Sequence, residues 1–322
     1  MATTQATTDT AGGVLPATPG APQSGGEVER EFTVKARSQR QQIIRRFFRN
    51  KVGMTGLVMF VVLLVFGFIG PLVDGKTYDA QNSSAQSVPP GTAGYLLGSD
   101  AIGRDLLAGL MQGVQRSLFI VLLFVVIAFP LGLLVGALAG YFGKWVDSLL
   151  MRFVDLILTV PLLVVLIVVA SNFPSSRTPL GVGIILGLFG WLDLARIVRS
   201  QFLSLREKEY VEAAHAMGAS NARIIFKHLI PNTLGSLIVW TTLAAATAIT
   251  LEAALTYLGF GVNGANQTSL GRLVSDGVQA ASTRPWLFYY PGIALLLIVL
   301  AINLIGDGIR DAFDPSNRRV RA

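Results

Sequence analysis

The sequence holds two glycine patterns that could cradle phosphate, two histidines, and two carboxylates set in apolar surroundings. Gly70-Pro-Leu-Val-Asp-Gly-Lys-Thr77 fits the pattern of a phosphate-binding loop letter for letter, and Gly259-Phe-Gly-Val-Asn-Gly264 fits a dinucleotide fingerprint. Both work only between a strand and a helix, where backbone amides and a helix N-terminus converge on phosphate. Here each follows a long apolar run and leads into a polar loop, so neither is expected to hold nucleotide. The absence of cysteine excludes a disulfide framework, a thiolate metal site and a catalytic thiol, and His215 and His228 alone do not build a histidine site. No catalytic constellation, cofactor site or metal site is therefore expected in the chain. Asp155 and Glu252 stand in apolar runs, where a charge is costly. Each is either a structural hydrogen-bond or ion-pair partner or part of a gate or substrate path, and the second role suits Glu252 better.

The elements that must position these residues are membrane helices. The chain has 322 residues, 52% hydrophobic and only 14% charged, against about 25% charged in soluble domains. Uncharged spans cover 52–73, 117–143, 156–176, 178–192, 228–251 and 285–306, each near the length a bilayer asks of a helix except the fourth. That one must run on through Asp193 and Arg196 to about Val198, and those two charges, three apart on a helix, can pair. Glu252 falls roughly 30 Å along a helix starting near Pro231, near its far end. Gly132, Gly136 and Gly140 form a small-residue ridge on span two that lets another helix approach closely. The fold class is thus all-α, polytopic, with six transmembrane helices.

Residues 1–26 are Ala, Thr, Gly, Pro and Ser with a single charge, Asp9, and read as a disordered tail. Residues 27–51 carry eight basic residues and end in Arg45-Arg46-Phe-Phe-Arg49-Asn-Lys51, fit to lie against anionic headgroups. The six-helix domain occupies 52–314 and a short tail 315–322. With the N-terminus inside, the inner segments hold 20 of the 26 Lys and Arg, and the outer ones hold Lys76, Arg104, Arg116, Arg177, Arg272 and Arg284. That bias puts both termini and the loop at about 204–231 in the cytoplasm. Asn82 and Asn266, in glycosylation-type tripeptides, fall outside.

Within that loop, Tyr210, Ala213, Ala214 and Met217 share one face at helical spacing, away from Glu207, Lys208, Glu212 and His215. Gly218 is placed to close this helix in the left-handed conformation, Ser220 to cap the next, and Pro231 to sit in the first turn of a third. The result is an elbow between two spans. A DNA-binding helix-turn-helix has a similar pattern, but the flanking apolar runs exclude nucleic acid as a partner.

Glu212-Ala213-Ala214, Gly218 and Pro231, with Ile230 just before the proline, stand in the register of the cytoplasmic loop of permease subunits in bacterial ATP-binding-cassette importers, which the elbow resembles. The general pattern has isoleucine where this chain has His228; His228 to Asn232, ending Pro-Asn, is similar to the dipeptide, oligopeptide and nickel branch. Leu97-Gly98, Gly103-Arg104-Asp105, Ala195-Arg196-Ile-Val-Arg199, Tyr257-Leu-Gly259 and Gly306-Asp307-Gly-Ile-Arg310-Asp-Ala-Phe-Asp314-Pro315 look like the second permease subunit of peptide importers. A second Glu-Ala-Ala at 252–254 is out of register.

The resemblance implies the type I importer permease fold and an assembly in the bacterial plasma membrane. Its partners are a second homologous permease, two cytoplasmic ATP-binding subunits or domains carrying ATP and Mg, an extracytoplasmic peptide-binding protein, and membrane lipid. The elbow would be the coupling helix, with Glu212 holding it by hydrogen bonds and Ala213 and Ala214 allowing close approach. The same architecture could import nickel or another small solute. An ion-driven secondary transporter, the alternative of a different class, would show paired interrupted half-repeats and ionisable residues at the midplane, and neither is present.

Overall fold

The computed structural model describes residues 39–264 and 267–313; the predicted N-terminal tail, the first part of the basic segment, Asn266 and residues 314–322 lie outside them. In chain order the helices are α1 (Gln39–Arg49), α2 (Lys51–Phe68), α3 (Gly70–Asp74), α4 (Leu106–Phe142), α5 (Lys144–Leu158), α6 (Leu162–Asn172), α7 (Pro179–Arg206), α8 (Glu209–Ala216), α9 (Asn221–Arg223), α10 (Ile230–Tyr257), α11 (Leu270–Val278) and α12 (Trp286–Phe313). Five helices, α2, α4, α7, the run Asn221–Tyr257 and α12, are long and apolar enough to cross a membrane.

The sixth span is broken. α5 and α6 meet at 77°, across Thr159, Val160 and Pro161, where the missing proline N–H and its ring oppose a continuous helix. The uniform apolar run at 156–176 conceals this joint, and Asp155 sits on the α5 side of it.

Span four runs to Arg206, well past Val198. The expected pairing of Asp193 with Arg196 does not form. Arg196 instead reaches Asp155, and Arg199 engages Asp147 through two guanidinium nitrogens, so α5 is tied along α7 by charge. The reason is geometric: Asp193 is exposed, while the α5 carboxylates face the arginine side of α7.

The glycine ridge of α4 packs on α7. A Cβ on Gly132 would lie 2.7 Å from Leu194 Cβ and one on Gly140 2.6 Å from Phe202 Cβ, while at Gly136 it would overlap the Ala195 carbonyl. Gly183 and Gly187 of α7 answer with the same closeness to Leu123 and Ile127. A second close seam joins α2 to α12, where a Cβ on Gly53 would lie 2.9 Å from Gly308 Cα. Dispersion between backbones brought this near holds helices together where apolar surroundings offer no hydrophobic drive.

At the end of the bundle carrying α11 the chain closes on itself with polar side chains. Asp105 caps α4 through Leu107 N at 2.8 Å and receives Lys76 Nζ at 2.8 Å. Ser99, fully buried, donates to the Ala85 carbonyl and accepts from Val88 N. Residues 70–74 are helical, so the phosphate-loop pattern builds no cradle, and its lysine is committed to Asp105. Gly259, in the second glycine pattern, merely ends α10 with φ at +85°.

Candidate functional site

The elbow stands at the opposite end. α7 ends at Arg206 and the chain turns through Glu207 and Lys208 into α8. Gly218 closes α8 at φ +79°: its N–H donates to the His215 carbonyl at 2.9 Å, and Ala219 N donates to the Ala214 carbonyl at 3.0 Å. Both bonds satisfy carbonyls that a helix end would leave open. Ser220 then caps α9, accepting from Arg223 N at 3.4 Å.

Where a third, separate helix was expected at Pro231, the chain is continuous. Residues Ile224–Leu229 form a π turn that carries α9 into α10, so Pro231 lies in the first turn of α10 inside a helical run that began at Asn221. The wider ring of a π turn absorbs the bond that proline cannot make. The Asn232 side chain donates to the His228 carbonyl at 2.6 Å, supplying a further bond at the same place.

The face of α8 grouped by spacing is split between inside and outside. Val211 and Ala214 point inward, packed with Val198, Phe202, Ile224, Leu229 and Leu237. Ala213 is exposed, Tyr210 is 42% exposed and Met217 82% exposed. Spacing alone defines a face, and here the packed partner is Phe202 of α7, which selects the neighbouring one. Phe226, not anticipated, adds a third large apolar side chain to the outside at 71% exposure; its position between Ile224 and Lys227 in a charged loop was the available clue.

Tyr210, Ala214, Met217, Ala219, Arg223, Lys227 and His228 surround a hollow of about 380 Å³, with the Tyr210 and His228 rings 6.5 Å apart. The charged groups lining it are basic. Glu212 is exposed on the outer side of α8. Tyr141, at the end of α4, anchors the elbow by donating to Asn221 Oδ1 at 2.9 Å while its ring stacks on His215. The elbow is thus a fixed relief with an exposed aromatic and thioether face. Among the described residues, no cluster of three His, Asp or Glu could hold a metal.

The two carboxylates lie at opposite ends. Asp155 is half-exposed near the elbow, in its ion pair with Arg196. Glu252 is buried near α11; its Oε1 accepts from Ser269 Oγ at 2.6 Å and Thr256 Oγ1 at 2.9 Å, and Ser269 in turn caps α11. Leu270 N donates to Ser117 Oγ, so α10, α11 and α4 meet in one hydrogen-bonded knot. Elsewhere, a largely apolar groove of about 1250 Å³ lies among α2, α4, α7, α10 and α12, with Gln115, Arg116, Thr178, Thr241, Thr242 and Gln267 as polar points.

Residues 132–319 match the family described as binding-protein-dependent transport system inner membrane component, a stretch that begins on the glycine ridge of α4 and includes the whole elbow. The chain belongs to this family. Residues 38–90 of the permease also match the N-terminal TM domain of oligopeptide transport permease C. The oligopeptide transport system permease protein OppC of Mycobacterium tuberculosis is 39% identical over 88% of this chain and 97% of its own length. OppC of Bacillus subtilis is 33% identical over 92% and 95%. The dipeptide transport system permease protein DppC of Alkalihalophilus pseudofirmus is 36% identical over 85% and 89%. Among solved structures, a chain of the MetNI methionine ABC transporter in an inward-facing conformation is 20% identical with a TM-score of 0.48, covering 65% of this chain and 96% of that one. The permease is a multi-pass membrane protein of ATP-binding-cassette transport.

Proposed function

We propose that the permease forms half of the translocation pathway of an ATP-driven importer of di- and oligopeptides. Its partners are a second homologous permease, two cytoplasmic ATP-binding subunits and an extracytoplasmic peptide-binding protein; ATP and Mg belong to the ATP-binding subunits, and this chain is not itself catalytic. It resides in the bacterial plasma membrane with both termini cytoplasmic, as the positive-inside bias of 20 against 6 supports. The peptide cargo is supported by the names of the relatives.

One observation carries the coupling role: Tyr210, Met217 and Phe226 stand exposed on an elbow whose inner face is locked into the core. Exposed large side chains on a rigid mount are the anatomy of a protein-protein contact. In this reading the ATP-binding subunits close on ATP and push the elbow. Asn221–Tyr257 and the α4–α7 pair move with it, and the pathway opens toward the binding protein; hydrolysis resets it.

The test uses Gly218. A Cβ there would meet nothing within 4 Å, so substitution acts through the backbone alone. A β-branched residue in the left-handed region costs about 1–3 kcal/mol, whereas asparagine tolerates it. Gly218→Val is expected to abolish uptake of labelled di- and tripeptides while membrane levels stay normal, and Gly218→Asn to retain most of it. Normal uptake by Gly218→Val would sink the coupling role, and accumulation of nickel but no peptide would overturn the cargo.

A further inference from the structure

We infer that α1 is a clasp for an anionic phospholipid headgroup, and that its occupation tightens the α2–α12 seam. Residues 39–51 contain Arg40, Arg45, Arg46, Arg49 and Lys51 and no acidic residue. The inner side of α1 is fixed to the end of α12: Asn50 Nδ2 donates to Asp311 Oδ2 at 2.8 Å, an Arg46 nitrogen reaches the Ala312 carbonyl, and the Phe47 ring lies over Gly53 and Gly308. Asn50 also caps α2, accepting from Val52 N and Gly53 N, so one side chain holds the joint between α1, α2 and α12.

The outer side is of two kinds. Ile44 at 57% exposure and Phe48 at 59% lie four residues apart on one face of α1. Arg45 and Arg49, both exposed, form the stripe beside it. Beyond the joint at Asn50, α2 turns Val58, Val62 and Val65 outward, the surface of a membrane-crossing helix. The position of α1 directly at the start of this span selects the occupant: an aqueous acidic partner would satisfy the arginines and leave Ile44 and Phe48 in water, whereas a phospholipid offers acyl chain to the apolar pair and phosphate to the arginines. Guanidinium forks suit phosphate oxygens, and an amphipathic helix at a span's mouth lies where headgroups are. Because the inner contacts involve Asp311 and Ala312, a ligand that pins α1 also stabilises the packing of Gly53 on Gly308.

The inference rests on α2 as a membrane span and is independent of the coupling role, so Gly218→Val should bind lipid as the native chain does. The test takes the full-length chain, purified in detergent in whatever assembly it forms, and titrates dioctanoyl phosphatidylglycerol, dioctanoyl phosphatidylcholine and inorganic phosphate in parallel. The readouts are the thermal midpoint for loss of monodispersity and lipid adducts in native mass spectrometry. Phosphatidylglycerol is expected to raise the midpoint and to remain bound. Arg45→Gln/Arg49→Gln, whose native side chains are exposed, should fold with an unchanged lipid-free midpoint and bind phosphatidylglycerol about tenfold more weakly or worse. Three results would each overturn the proposal: equal effects of the two lipids, reproduction of the shift by phosphate alone, or native affinity in the double variant.

Discussion

The two ends of the bundle handle polarity in opposite ways. Of the eight buried polar or charged side chains among the described residues, seven (Ser99, Asp105, Ser117, Glu252, Thr256, Thr268 and Ser269) lie toward the end carrying α11, and only Thr233 lies toward the elbow. The α11 end is tied by its own hydrogen bonds, with Glu252 Oε2, Gln267 Oε1 and Trp286 Nε1 left buried without a partner. The elbow end does the reverse, burying aliphatic side chains inward and turning Tyr210, Met217 and Phe226 outward. The α11 end also exposes apolar side chains, Leu72 and Val73 among them, so what separates the two ends is the core: joined by polar contacts under α11, apolar under the elbow.

That contrast can be broken by substitution, and the expected effects differ in kind as well as size. Tyr210→Ser combined with Met217→Ser should leave the thermal midpoint unchanged and weaken retention of ATP-binding subunits by about 2–4 kcal/mol, as loss of interface anchors does. Co-purification at graded salt with a binding assay measures it, and undiminished retention would remove the elbow's outer face from the interface. Glu252→Ala should do the opposite. It strands the Ser269 and Thr256 hydroxyls in a buried site and should destabilise the fold by about 1–2 kcal/mol without altering subunit retention, read from the midpoint in detergent.

The smallest effect is expected at Lys76. Its hydrogen bond to Asp105 raises its pKa above the ordinary 10.5. A raised folded-state value means the pair contributes fully below about 10.5 and fades only as pH climbs through the higher value. Because the lysine side chain is 43% exposed, Lys76→Met should cost about 0.5 kcal/mol. The loss should be the same at pH 6 and pH 9, and a cost that grows toward acid would show that another group carries the interaction.

Local chemistry was legible in the sequence, and long-range choice was not. Gly218, Ser220 and the ridge of Gly132, Gly136 and Gly140 announce themselves because each is fixed by backbone conformation or by the absence of a side chain. The joint at Thr159–Pro161 was hidden because an unbroken apolar run has no phase to lose. Arg196 chose Asp155 over Asp193 for reasons that lie 41 residues away. Periodicity grouped Tyr210 with Met217 correctly but could not say which side of α8 would find Phe202. The fusion of α9 to α10 was masked by Pro231, a residue that usually argues for a start.

That fusion has a geometric consequence. Asn221–Tyr257 is a single rod of 37 residues, roughly 55 Å long at 1.5 Å per residue. Near its middle it is gripped through fully buried Leu237, and Glu252 rides near one tip. Such a rod is a lever with its fulcrum in the bilayer: a tilt of about 5° carries each tip some 2 Å, in opposite directions. Motion given to the elbow is therefore delivered to the far surface inverted, at similar amplitude and without a hinge to lose it.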